Sequence, residues 1–543
     1  MTRTDSPWAR AVALGAAGAL TLAGTVTLAG PAGATPHGSR ACEKQVNDTV
    51  AELTDCVTLD GILQHLEALQ EIADRNGGNR ASGTEGHADS VRYVERRLEK
   101  AGWEVSRQAF EFPFFQLNGS SFERLSPDPA TFAEGTDYAV MTYSGSGDVT
   151  GTAVPVDVDS GSSGCEAEDF PAAVAGQVAL VERGTCTFGV KAQNAQAAGA
   201  TAVIVFNDGG AEDRTGVVQG TLGSPGVTVP VIGVAAAAGT DLAGDQVRVA
   251  VDSTSEVRTT ENVIAELPGA TSDNVVMAGA HLDSVLAGPG INDNGSGSAA
   301  LIEVAENLSR TELPNTVRFA WWGAEELRLL GSDHYVASLT PEQREDIGLY
   351  LNFDMVGSPN FARFIYDGDQ STFTVPPPTE QNPFFVPEGS AQIEYVFEDF
   401  YEERGLFYEG TEFSGRSDYQ AFAIAGIPAG GLFTGAEQLK QEYQVAAYGG
   451  EAGVAYDPNY HQVGDDIANL DPMALDQNSD AIAYAVLTLA YDTQRVNGVA
   501  GQPVPGGTYQ GDPQARQYRL TPPGEAPQAG GGGQDQDHVG DTA

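Results

Sequence analysis

Positive charge is what this chain has least of. Only 28 Lys and Arg stand against 75 Asp and Glu in 543 residues, a formal net charge of −47. Such a field repels phosphate backbones and anionic lipid, so neither nucleic acid nor a membrane surface is an expected partner. A solvated acidic surface is the plain reading of the excess. Cysteine is nearly as scarce, with Cys42, Cys56, Cys165 and Cys186 alone and no C-x-x-C spacing, which argues against a cysteine-ligated metal. An even count in an exported chain points to disulfides. Four cysteines allow three connectivities, and the local pairs Cys42 to Cys56 and Cys165 to Cys186 are expected, each stabilising by about 3 kcal/mol. Beyond the N-terminal run no segment is apolar and long enough to span a bilayer.

What is present begins with an export signal. Arg3 and Arg10 precede an apolar run from Ala11 to Ala29, and Ala32-Gly33-Ala34 supplies the small residues of a cleavage site, so residues 1–34 read as a signal peptide and the mature chain as secreted. At the other end, residues 497–543 are rich in Gly, Pro, Gln and Asp, and the expectation there is a disordered tail. Between these ends the residues Ile62, Leu63, Leu66, Leu69 and Ile72 recur at helical spacing, and a second amphipathic helix follows over His87–Ala101. Residues 117–259 then show short β-type runs, such as Val178–Val181 and Ala202–Phe206, between Gly-rich turns. They read as a domain inserted between 35–116 and 260–496. From Asn262, strand runs alternate with helices: Val275–Ala278, Ser298–Leu308, Val317–Trp322, Glu326–Ser338 and Leu349–Phe353. That alternation predicts a mostly parallel sheet covered on both faces, with function gathered at the carboxyl ends of its strands.

Three such ends deliver chemistry. His281-Leu282-Asp283 follows the first strand, Glu325-Glu326 the second and Asp354 the third, while Gly290–Gly295 forms a turn that aims Asp293 into the same space. Imidazole and carboxylate ligands without cysteine suit a catalytic zinc. His461, beside the Gly464-Asp465-Asp466 turn, is the remaining candidate ligand. Taken singly, an Asp at a strand end is more often a helix cap and a lone His a satisfied core residue. Their convergence on adjacent strand ends favours a metal.

These motifs resemble metallopeptidase family 28, whose members include secreted leucine aminopeptidases. The match runs through Asn76–Ser82 and then from Asn262 to about Leu489. It is carried by Gly279–Ser284, Ile291–Gly297, Phe319–Glu326, Leu351–Pro359 and Gly430–Gly435. The resemblance implies a phosphorylase/hydrolase-like three-layer α/β sandwich with a mostly parallel central sheet, and two zinc ions per chain. By position, His281 and Asp354 resemble the terminal ligands of one zinc, Glu326 and His461 those of the other, and Asp293 the bridging carboxylate. Asp283 resembles the acid that orients His281, and Glu325 the general base. Tyr460 would donate to the oxyanion and Arg416 would hold substrate, while Met355, Gly415 and Phe433 match the lining of an apolar first pocket. The implied activity is release of Leu-like or aromatic N-terminal residues from peptides by a monomer. The inserted segment resembles a protease-associated domain, on Leu180–Phe188 and Lys191–Gly199.

Two departures stand out. Relatives place cysteines around the Tyr-His pair where Asn459 and Val463 stand here, so that loop lacks a staple. They also bind calcium through carboxylates matched by Asp476 and Asp480, but their third ligand aligns with Cys56, and a solvated helix face is the simpler reading. Rival functions are a glutamate carboxypeptidase, a glutaminyl cyclase, or a metal-free receptor-like binding protein.

Overall fold

The structure is a computed structural model that describes residues 42, 44–509, 516–521 and 528–529. The proposed signal peptide lies outside these residues. The strands are β1 (Glu104–Ser126), β2 (Ala130–Phe132), β3 (Tyr138–Val140), β4 (Gly147–Val156), β5 (Val178–Glu182), β6 (Ala202–Phe206), β7 (Val231–Val234), β8 (Gln246–Leu267) and β9 (Thr271–His281). They continue with β10 (Asn315–Trp322), β11 (Ile347–Phe353), β12 (Phe364–Tyr366), β13 (Phe373–Thr374), β14 (Glu409–Thr411), β15 (Ala429–Phe433) and β16 (Gln528–Ala529).

The order β14-β12-β15-β11-β9-β10-β8 forms one half of a 14-stranded sheet. Within it β10, β9, β11 and β15 run parallel. From Asn274 onward β9 is buried at every position, as a parallel strand covered on both faces must be. On one side pack the helices Leu59–Arg75, Glu85–Ala101, Gly297–Leu308 and Pro472–Tyr491, which share a core with Val276, Ala278, Phe319 and Leu351. On the other, Leu330–Ser338 and Tyr419–Ile424 pack around Trp322 and Tyr350. This is the expected α/β sandwich with a β-rich insertion.

The insertion is joined by an unbroken ribbon. β1 and β8 pair antiparallel from Glu104↔Glu266 to Ser126↔Gln246, and β8 pairs with β10 at one end and β4 at the other. The boundaries expected at 117 and 259 fall inside these two strands. Beyond them β4, β5, β6 and β7 run parallel around two cores of their own. Both expected disulfides are present, Cys42–Cys56 and Cys165–Cys186.

Two expectations change. The helix expected from Glu326 starts at Leu330, because Ala324 (φ 56°), Arg328 (φ 77°) and Leu329 (φ 62°) adopt left-handed backbone that no helix can include. The tail also carries more order than its composition suggests. Val504 joins the main core, residues 516–521 lie against the helix Ser390–Arg404, and β16 pairs with β13. The physical reason is a few large side chains and two arginines, Arg516 and Arg519, that meet buried carboxylates on that helix.

Candidate metal centre

Apart from His281, which ends β9, the site is built from backbone turns that keep their residues out of regular helix and strand. At the end of β9, His281 points its Nε2 at Asp293 Oδ1 (3.1 Å), Asp354 Oδ1 (3.3 Å) and Glu325 Oε2 (3.7 Å). His461 Nε2 meets Glu326 Oε2 at 3.0 Å and Asp293 Oδ2 at 3.2 Å. Asp293 thus offers one oxygen to each imidazole and lies between them. All five candidate ligands converge, together with Glu325.

Each is held by its own set of hydrogen bonds. The left-handed turn after β10 keeps Glu325 and Glu326 out of a helix, and it is pinned by Ser82 Oγ, which accepts from the Ala324 amide (2.7 Å), and by Asp283 Oδ1, which accepts from the Glu325 amide (3.2 Å). Ser417 donates to Asp354 Oδ2 at 2.6 Å and accepts from Asn352 Nδ2 at 2.8 Å. Asn294 ties the Asp293 turn to the next strand end, donating to the Phe353 carbonyl (2.8 Å) and accepting from the Met355 amide (3.2 Å). The expectation for Asp283 is adjusted. The His281 Nδ1 contact at 3.1 Å is to the Asp283 carbonyl, with the carboxylate at 3.8 Å, because that carboxylate is turned toward the Glu325 amide.

The electrostatics are those of crowded carboxylates around two imidazoles. Burial alone would lower the His461 pKa, but Glu326 and Asp293 push it up to about 11. His281 rises likewise: burial is outweighed by Glu325 and Asp354. Asp293 is held below the usual carboxylate range, its burial outweighed by the two imidazoles. Glu325 goes the other way, raised well above the ordinary range by burial. Glu326 Oε1, Asp354 Oδ1 and His461 Nε2 are buried without a hydrogen-bond partner. Buried polar atoms are rarely left so. The triads His281/Asp293/Glu326 and His281/Glu325/Asp354 each bring their ligand atoms within 4.8 Å of one another. Nitrogen and oxygen donors at this spacing fit zinc.

The centre opens on a cleft of about 580 Å³, lined by Met355, Phe364, Tyr366, Phe433, Arg416 and Tyr460 among others. The Tyr460 ring stacks on His461 with centroids 3.8 Å apart, and its hydroxyl lies 3.5 Å from Arg416, which also donates to Glu437. Gly415 falls between the lining residues Ser414 and Arg416, and its amide donates to the hydroxyl of Tyr419, which lines the same cleft. The proposed calcium pair is otherwise engaged. Asp480 faces Arg404 at 4.0 Å, and Asp476 accepts from the Leu59 amide. Among the described residues neither belongs to a group of three possible ligands.

Sequence reasoning passed over Arg80 and Asp465. Arg80 is fully buried and donates to the carbonyls of Leu282, Pro289 and Gly290, stitching the segment between His281 and Asp293. Its place in the run Asn76–Ser82 was the available signal. Asp465 adjoins His461 in sequence, and its neighbours supply what a disulfide does not. Asn459 donates to Asn469, which donates to Asp457 and Asp465, bracing the loop that carries Tyr460 and His461.

The family model of Peptidase family M28 matches residues 262–486, and that of the PA domain matches residues 149–242. An aminopeptidase of Pseudomonas aeruginosa is 47% identical over 82% of this chain and 83% of its own length. Leucine aminopeptidase 2 of Trichophyton rubrum is 42% identical over 81% and 86%. Among solved structures, the aminopeptidase from Aneurinibacillus sp. strain AM-1 superposes with a TM-score of 0.56 at 24% identity, covering 86% of this chain and 98% of that one. BSAP, a zinc aminopeptidase from Bacillus subtilis, gives 0.50 at 23% identity, covering 79% and 94%. With relatives of this identity matched over most of both chains, the chain belongs to peptidase family M28, as a metalloaminopeptidase with an inserted PA domain.

Proposed function

We propose that this is an exported two-zinc aminopeptidase that releases apolar N-terminal residues. The observation that carries the reading is Asp293, whose two oxygens face the two imidazoles, each in turn beside a further carboxylate. His281 and Asp354 would hold one zinc, Glu326 and His461 the other, with Asp293 between them. Bound zinc would supply a Lewis acid for the scissile carbonyl and acidify water beside it.

The chain's own residues do the rest. Glu325 is the general base: buried and carrying a raised proton affinity, it takes a proton from the attacking water and returns it to the leaving amine. The carboxylates of Glu325 and Asp354 receive the free α-amine of the substrate. Tyr460, its ring fixed on His461, donates to the developing oxyanion, and Arg416 beside it holds the substrate main chain. Met355, Phe364, Tyr366 and Phe433 present an apolar wall that favours a Leu-like or aromatic first residue. Export is supported by the two disulfides, which persist in oxidising compartments, and among the described residues no helix is long and apolar enough to cross a membrane.

The test is hydrolysis of leucine p-nitroanilide before and after chelation, with Glu325→Gln alongside. Activity restored by zinc and reduced about 100-fold or more in the variant is the expected result. Activity indifferent to chelator, or to loss of the carboxylate, would refute the mechanism.

A further inference from the structure

We propose that Asp465 is a positioning residue that fixes the bridging carboxylate against the histidine on the facing loop, so that the two metal positions share one spacing. The assignment rests on the ligand roles given above to Asp293 and His461.

Three consecutive amides end on this one residue. Ile291 donates to the Asp465 carbonyl at 3.0 Å, Asn292 to its Oδ1 at 2.8 Å and Asp293 to its Oδ2 at 3.0 Å. Asp465 is itself only 2% exposed, so no water competes for these acceptors. On its other side it belongs to the short turn that carries His461, closed by its amide donating to the Gln462 carbonyl at 3.1 Å. His461 Nε2 in turn stands 3.2 Å from Asp293 Oδ2. The result is a closed ring: Asp293 carboxylate, His461 imidazole, the turn to Asp465, and the Asp465 carboxylate back to the Asp293 amide. Among the described residues no other side chain accepts from the Asp293 amide and belongs to the turn of His461.

The chemistry demands a carboxylate. Two amide donors approach its two oxygens, and both oxygens must accept. An asparagine of the same shape can accept from one and must turn its NH2 toward the other, donor against donor. The 291–293 turn is then displaced, and with it the Asp293 carboxylate whose two oxygens face the two metal positions. Partners that orient metal ligands commonly influence metal affinity by about 10- to 100-fold.

The experiment measures zinc content and zinc affinity, by competition with a chelator, in the full chain and in Asp465→Asn, beside kcat and KM for leucine p-nitroanilide and thermal stability. Asp367→Asn serves as the comparison, since Asp367 is equally buried and its two oxygens likewise accept consecutive backbone amides, those of Ser371, Thr372 and Phe373, but it makes no bond to the Asp293 turn or to the loop of His461. The expected result is that both variants melt earlier, while only Asp465→Asn holds one zinc about 10-fold or more weakly and loses kcat by a similar factor with KM little changed. Should Asp465→Asn fail to fold, Asp465→Glu keeps both acceptors one methylene too far away and is expected to show a smaller loss in the same two readouts. Zinc affinity and kcat unchanged in the folded variant, or lowered equally in Asp367→Asn, would overturn the assignment while leaving the two-zinc reading intact. A wild-type chain that binds no zinc would overturn both.

Discussion

Arg80 meets three backbone carbonyls and no carboxylate directly, although Asp283, Asp465, Asp293 and Glu326 all act on it electrostatically. Burial lowers its pKa to about 10, which leaves it charged at neutral pH. Arg80→Met keeps an unbranched apolar stem, removes the guanidinium and strands the three carbonyls, and the cost of such unsatisfied groups is about 1 to 3 kcal/mol each. Denaturant unfolding is expected to show a loss of about 3 kcal/mol or more, with Arg80→Lys recovering part of it; a loss under about 1 kcal/mol would mean that water replaces the guanidinium. Tyr460 offers the complementary case, a residue whose loss should leave the fold alone. Tyr460→Phe retains the ring that stacks on His461 and removes only the hydroxyl. One missing oxyanion donor costs about 100- to 1,000-fold in kcat. Zinc content unchanged and kcat reduced on that scale is the expected outcome, and an unchanged kcat would assign the ring to packing alone.

Among the elements, what was legible followed from period and composition, and what was not followed from backbone sign. The helix Leu59–Arg75, strands β6 and β11 and the acidic residues at strand ends follow from patterns of apolar residues, and the structure places them there. The start of the helix after Glu326 does not, since Ala324, Arg328 and Leu329 carry positive φ without being glycines, and sequence gives no signal for that. Nor does sequence show that β1 and β8 run through the boundary of the insertion, because their continuity depends on each other as partners. Gly290 is the converse, a glycine whose necessity the geometry explains. At φ +63°, an added Cβ would stand 2.4 Å from the Asp293 carbonyl oxygen and 2.5 Å from Ser284 Cβ. Gly78, at φ +87°, has open space around it. Gly290→Ala is therefore expected to abolish zinc retention and activity, while Gly78→Ala costs about 1 kcal/mol in stability with activity kept. Equal effects of the two would show that strain, rather than the clash with the Asp293 turn, governs the loop.

For the whole molecule, the surplus of acid that keeps the surface solvated is also carried into the interior. Glu394 and Glu398 are buried on the helix Ser390–Arg404, near Asp367, and their cations come from the far end of the chain: Arg516 lies 2.9 Å from Glu398, and Arg519 lies 3.2 Å from Glu398 and 3.3 Å from Glu394. Desolvation nonetheless dominates, raising Glu394 to about 9 and Glu398 to about 7 from 4.5. The unfolded chain releases these protons near pH 4.5, whereas the folded chain keeps them until pH passes about 7 and then 9. Over that window the folded state binds more protons, so its stability falls as pH rises, by about 1.4 kcal/mol per pH unit for each proton retained. Below pH 4.5 both states are protonated and the effect vanishes. Melting temperatures of wild type and Glu394→Gln should then diverge between pH 5 and pH 8, the variant losing less on the way up. Removing the cations works in the opposite sense. Arg516→Gln with Arg519→Gln lifts both carboxyl pKa values further, so that double variant should lose more stability at pH 8 than at pH 5, and parallel pH profiles would mean that the C-terminal arginines contribute contact without charge.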